Sequence, residues 1–167
     1  MSMHWLREKA PGFNELSPGE CNAICSFSLL WSLFEAQILE SAGSAAHICK
    51  AVDSWREAET IRAETYEPEL TYFRQRYFAD DQFTYHFNNL HLRKNDRPNI
   101  VKTVINGTNN VPRDGMVTAL IITLRFRNNL FHGVKWQYEL AGQLENFTNA
   151  NNLLMKVLEH HGKLAGG

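Results

Sequence analysis

The sequence predicts an all-α protein, a bundle of four or five main helices, and three observations carry that prediction. Apolar residues recur at helical spacing through each long segment. Ser17-Pro18-Gly19-Glu20 is a capping box with proline at the first helical position, the mark of a helix start. The 167 residues are 44% hydrophobic and 21% charged, with no repeat, low-complexity tract or convincing linker, as for one globular domain spanning 1–167. A chain of this size buries a core without disulfides or a metal.

The capping box opens a helix predicted over 18–40, with Ile24, Phe27, Leu30, Trp31, Phe34 and Ile38 at helical spacing and Gly43 as its stop. A second helix is predicted over 45–64, with Ile48, Val52, Trp55 and Ile61 as its apolar side. Pro68 suits the first turn of a third, which carries Leu70, Phe73, Tyr77 and Phe78 and resumes over 83–92 after a break at Asp80-Asp81. Residues 94–112 are polar and rich in Asn, and read as the main irregular region around a short apolar piece, 100–105. Asp114 then caps a helix with Val117, Leu120, Ile121, Leu124 and Phe131 at helical spacing, closed by Gly133. The last helix is predicted over 138–161, stopped by Gly162.

The net charge of −1 makes no case for a polyanionic partner, but its distribution is uneven. Residues 1–92 carry seven Lys and Arg against thirteen Asp and Glu, whereas 93–138 carry eight against two. That block, with Arg93, Lys94, Arg97, Lys102, Arg113, Arg125, Arg127 and Lys135, can form a local positive surface or a set of solvated helix faces.

Several function classes are not indicated. Cys21, Cys25 and Cys49 include no CxxC pair and fit a reducing cytoplasm rather than a disulfide framework or zinc site, and Cys21 and Cys25, four apart on a helix, read as small buried apolar side chains. Residues 1–12 hold no apolar signal-peptide core, and the longest apolar stretch, 116–124, is short of a bilayer span, so a soluble cytoplasmic protein that engages no membrane is expected. His86 and His91 share no helical register with a carboxylate pair, and no Gly-rich phosphate loop, nucleophile elbow or zinc-deaminase motif is present. No metal and no cofactor are expected. Trp31, Phe34 and Trp55 read as core, and His160-His161 as cations closing the last helix.

The informative stretch is Arg125-Phe126-Arg127-Asn128-Asn129-Leu130-Phe131-His132-Gly133-Val134-Lys135, which gathers guanidinium, amide and imidazole groups within a few helical turns. Phosphodiester cleavage uses these groups. An Arg fork matches phosphoryl oxygens and stabilises charge growing on them. A His can take a proton from a ribose 2′-hydroxyl or give one to the leaving oxygen. The bland reading is a cationic pair at a helix C-terminus, where both charges favour the dipole. Residues 127 and 132 are five apart and point about 140° away from each other on a regular helix, so both face one phosphate only if the helix unwinds near Gly133 or a second chain contributes.

Arg127-Asn128-Asn129-Leu130-Phe131-His132-Gly133, near the end of a late helix, closely resembles the signature of the HEPN (higher eukaryotes and prokaryotes nucleotide-binding) superfamily: Arg, a polar residue often Asn, a few more residues, then His. The resemblance is most specific over 113–162, with a weaker match at Leu30-Trp31-Ser32-Leu33-Phe34-Glu35-Ala36; residues 65–112 match nothing in it. It implies a metal-independent RNA endonuclease working as a homodimer, cleaving through the 2′-hydroxyl to a 2′,3′-cyclic phosphate and a 5′-hydroxyl, in the role of a toxin or antiviral effector with an antitoxin or regulatory protein as partner. Some members are instead catalytically silent dimerisation or nucleotide-binding modules. Members modified by a nucleotidyltransferase carry Tyr two residues after the His, where this chain has Val134, which sets it apart from that kind of antitoxin.

On this reading Arg127 and His132 are catalytic, and Asn128 holds the substrate or the geometry, with Asn129 in support. Arg127 is preferred to Arg125 because Asn128 follows it; Arg125 is left to steer RNA. Glu35 has two readings, orienting Arg127 or His132, or forming an ordinary salt bridge at the rim. Lys135 contacts phosphate or sits on the surface.

Overall fold

The computed structural model describes residues 2–132 and 140–164. Its architecture is all-α: eight α-helices among the described residues, with one two-stranded hairpin. In chain order they are α1 (Ser2–Lys9), α2 (Pro18–Ile38), α3 (Ala45–Glu57), α4 (Ala63–Tyr77), the hairpin strands β1 (Phe78–Ala79) and β2 (Gln82–Phe83), α5 (Tyr85–Asn88), α6 (Pro98–Ile105), α7 (Pro112–Phe131) and α8 (Leu144–His161).

The hub is α7. Every residue from Gly115 to Phe126 is buried, the signature of a helix enclosed on all sides. Helices α3, α4 and α6 pack on it, and α8 lies against α2 and α4. Phe126 meets Phe73 of α4 edge-on and Phe147 of α8, and Phe147 in turn meets Phe27 of α2, so the core is one continuous aromatic and aliphatic cluster. Where α4 crosses α7, Gly115 leaves no room for a Cβ, which would sit 2.8 Å from the Tyr66 ring. Arg113 ties the start of α7 to α3 through a two-pronged bond to Asp53, at 2.9 and 3.1 Å, and holds that carboxyl below its usual range.

The start of α2 is as expected. Ser17 Oγ accepts from the Glu20 N–H at 3.2 Å, and the Glu20 carboxylate accepts from the Ser17 N–H at 2.8 Å. Elsewhere the expected boundaries move. Helix α2 stops at Ile38, and Glu40 and Ser41 turn the chain in the left-handed region. Helix α3 stops at Glu57 rather than 64, because Glu59 turns left-handed and the Thr60 N–H folds back onto the Trp55 carbonyl. Pro68 lies six residues into α4, past the first turn; burial of Tyr66, Leu70, Phe73 and Tyr77 at helical spacing carries the helix upstream of it. The continuation expected over 83–92 is a hairpin turned by Asp80 and Asp81, both at positive φ, followed by the single turn α5.

The stretch expected to be irregular contains a 3₁₀ turn (Lys94–Asp96) and α6, whose buried Val101, Val104 and Ile105 are the apolar piece seen in the sequence. Pro112 opens α7, and Asp114, expected as its cap, lies inside the first turn and accepts from Asn109 at 2.8 Å. Gly162 ends α8 as expected; the stop at Gly133 and the start at Tyr138 lie outside the described residues. Cys25, expected to be buried, is exposed, whereas Cys21 and Cys49 are buried. No helix among the described residues is long and apolar enough to cross a membrane.

At the foot of α8 the His161 ring stacks on Trp55 with centroids 3.9 Å apart. Burial pushes its pKa down to about 4, and His160 adds to the shift. The fold therefore holds the neutral imidazole. Its stabilisation is complete above the unfolded value of about 6.5 and is lost progressively as pH falls toward 4. His161→Phe keeps a ring there but cannot titrate, so its melting temperature is expected to fall less than the wild type's between about pH 7 and about pH 5. Equal falls in thermal melts of the two proteins would remove His161 from the acid response.

Candidate functional site

The last two turns of α7 present two faces with different tasks. Residues 125 and 129 are four apart and share one face, and 127 and 131 share another.

The first face is sealed. Arg125 is 2% exposed: its Nε donates to the Leu90 carbonyl at 3.0 Å, its Nη2 donates to Asn129 Oδ1 at 3.3 Å, and its Nη1 lies 3.3 Å from the Asp96 carboxylate. Asn129, equally buried, donates to the Asn89 carbonyl at 3.2 Å. Asp96 also accepts from the Arg93 N–H at 2.8 Å. Burial pulls the Arg125 pKa down and Asp96 pushes it back, and a guanidinium stays charged under both. The network fixes the segment between α5 and α6 to the hub helix. Arg125, expected to steer RNA, is thus a buried anchor, and Asn129, expected to support the catalytic pair, supports Arg125; the Leu90 and Asn89 carbonyls arriving on this face draw both inward.

The second face opens outward. Arg127 Nη1 donates to Asn128 Oδ1 at 3.0 Å, and its Nη2 lies 3.7 Å from Glu35 Oε1 of α2. The guanidinium sits 5.6 Å from the centroid of the Phe131 ring, which is 57% exposed although its spacing reads as core. Among the described residues Arg127 Nε has no hydrogen-bond partner. Arg127, Asn128 and Glu35 are therefore brought together, across two helices far apart in sequence. His132 caps the C-terminus of α7 with a non-helical backbone and an exposed side chain, its N–H donating to the Asn128 carbonyl. No hydrogen bond or ring contact joins it to Arg127 among the described residues. Lys135 lies outside them.

Beside this cluster is a groove of about 940 Å³ between the N-terminal end of α3 and the Lys94–Asp96 turn, floored by Leu124, Arg125 and Asn128. Gly43 stands where groove and cluster meet: it lines the groove, and a Cβ on it would collide with the Glu35 carboxylate. Gly43, expected as the stop of α2, is instead a position of close approach. Because the colliding atom is the tip of a flexible side chain, Gly43→Ala is expected to cost less than about 1 kcal/mol while pushing Glu35 away from Arg127. A fall in melting temperature like that of a core substitution would show that Gly43 acts through packing alone.

No family model, curated protein or solved structure matches this chain. The chemistry of the site must therefore carry the reading. Among the described residues no group of three or more His, Cys, Asp or Glu side chains is placed to hold a metal ion. A second cleft, of about 230 Å³ between α2, α3 and α8, includes Lys50, already bonded to Glu40, and the neutral His161. The groove beside Arg127 is richer in unpaired cations, and Arg93, Lys94 and Arg97 on its rim had no assigned part in the sequence reading beyond the basic block. Charge density was the signal that pointed to them. The sequence marked Gly43 only as a helix stop, with no signal for its close approach to Glu35.

Proposed function

We propose that this chain is a HEPN-type, metal-independent RNA endonuclease that works as a homodimer. The observation that carries the reading is the far end of α7: a guanidinium only loosely held by Glu35, an adjacent amide, and an exposed imidazole within six residues of one another. Arg127 binds and neutralises the scissile phosphate, exchanging its loose contact with Glu35 for charge-assisted bonds to phosphoryl oxygens. Asn128 holds Arg127 in place and reaches the groove. His132, in its neutral form, takes the proton of the ribose 2′-hydroxyl; the 2′-oxygen bonds to phosphorus, the bond to the 5′-oxygen breaks, and that oxygen receives a proton. Two copies of His132, one neutral and one protonated, supply base and acid, and a two-fold pair of chains also resolves the angular mismatch between Arg127 and His132 on one helix. Such an activity fits a toxin or antiviral effector restrained by a regulatory protein.

The contact between Glu35 and Arg127 favours a second reading, a catalytically silent module that dimerises or binds nucleotides through the same surface, because it partly neutralises the guanidinium. Incubating the purified protein with transfer RNA and messenger RNA in chelator separates the two. Products ending in 2′,3′-cyclic phosphate and 5′-hydroxyl are expected. RNA bound without turnover would favour the silent module.

A further inference from the structure

We infer that the Lys94–Asp96 turn and its flanks form a binding track for the sugar–phosphate backbone of a single RNA strand, with Arg93, Lys94 and Arg97 as its phosphate contacts. The choice of RNA as ligand rests on the nuclease reading; the cations do not. All three side chains are exposed, all three line the groove that Asn128 floors, and none forms an ion pair with a carboxylate of the described residues. The groove wall holds these three cations without a facing carboxylate, because the one carboxylate on it, Asp96, is turned inward to the sealed Arg125 and the Arg93 N–H.

Arg97 adds an independent observation. It adopts the left-handed conformation, φ 53° and ψ 49°, immediately before Pro98. A non-glycine residue is disfavoured there, and a following proline disfavours that conformation further. Glycine would relieve part of the strain, yet the position holds a long cation facing a groove. Glu40, Ser41, Glu59, Asp80, Asp81 and His91 share the positive φ, so what sets Arg97 apart is the proline that follows it and its place on the groove.

The strip has an end. Beyond Arg97, on the α3 side, the surface carries Glu57, Asp53 paired with Arg113 and Lys50 paired with Glu40, so the run of cations without a carboxylate partner ends there and continues only toward Asn128 and the Arg127 cluster. The site is concave, with its cations on one short turn, which suits one flexible backbone better than the broad cylinder of a duplex.

The test uses the full chain and a fluorescein-labelled oligouridine of about twelve nucleotides with 2′-O-methyl riboses, which lacks the attacking hydroxyl and so reports binding without cleavage. Affinity is measured against salt concentration for the wild type and for the combined variant Arg93→Gln, Lys94→Gln, Arg97→Gln. Each phosphate contact in a single strand contributes about 0.7 to the slope of log affinity against log salt, so the variant is expected to lose about 2 from the slope. Unchanged slope and affinity in the variant, or no binding by the wild type at low salt, would overturn the track. Binding with the expected slope by a wild type that cleaves no unmodified RNA would sustain the track and sink the nuclease. Equal affinity and slope for a duplex of the same length would overturn the single-strand assignment. Arg97→Gly is expected to melt no lower than the wild type and to bind more weakly; a lower melting temperature with unchanged binding would remove Arg97 from the track.

Discussion

Replacing Arg125 by methionine is expected to destabilise the protein by about 3–5 kcal/mol, because it removes one half of a buried ion pair and leaves the Asp96 carboxylate uncompensated. For a chain of this size that corresponds to a fall of about 6–20 °C in melting temperature. Methionine replaces most of the volume, so the loss is electrostatic and hydrogen-bonded rather than a cavity effect. It also strands the Asn129 amide oxygen and leaves the Leu90 carbonyl with only the 3.5 Å bond from Asn129 Nδ2. Adding Asp96→Asn to the methionine variant is expected to recover part of the loss, since two neutral groups remain where one unpaired charge stood. Thermal melts of the single and double variants check this. A single variant that melts within about 2 °C of the wild type would show that the network does not hold the segment between α5 and α6 to the hub helix.

His132→Ala is the opposite case. The side chain is exposed at the end of α7, so stability is expected to change by no more than about 0.5 kcal/mol. Cleavage of RNA is expected to fall by about 10²–10⁴-fold, the usual contribution of a positioned proton-transfer group. The loss should appear in kcat, since the imidazole acts on the reacting oxygens and not on the rest of the strand. Arg127→Ala is expected to lower kcat as well and to weaken binding, because in the proposed mechanism the guanidinium meets the phosphate both before and during bond breaking. Single-turnover cleavage with each variant measures both, and undiminished rates in both would take these residues out of the mechanism.

The start of α2 was legible because Ser17 and Glu20 satisfy each other's backbone within four residues, a local interaction needing nothing from the rest of the chain. The hairpin was not. Phe83 and Phe87 are four apart and mimic a helical stripe, and their rings do meet at 4.4 Å, although β2 and α5 divide the segment between them. Helix α6 shows in the sequence only as a short apolar piece, Ile100 to Ile105, and Pro98 at its first position is its one local start signal. The cluster of Arg127 and Asn128 was legible as a pattern of residue types, and Glu35 as one charge on an apolar helix. What no local rule could supply is which of Arg125 and Arg127 turns inward. Positions two apart on a helix face nearly opposite ways, and the answer depends on which side the Leu90 carbonyl arrives from, across 35 residues of sequence.

The alternation of inward and outward residues along the end of α7 bears on how this chain can vary among its descendants. On the proposed nuclease reading, changes at 125 and 129 would be felt first as a shortage of folded protein, and changes at 127, 128 and 132 as a normal supply of inert protein. A lineage that discards its chemistry while keeping its shape can therefore do so by drift at the outward positions alone, with the inward pair still under purifying pressure.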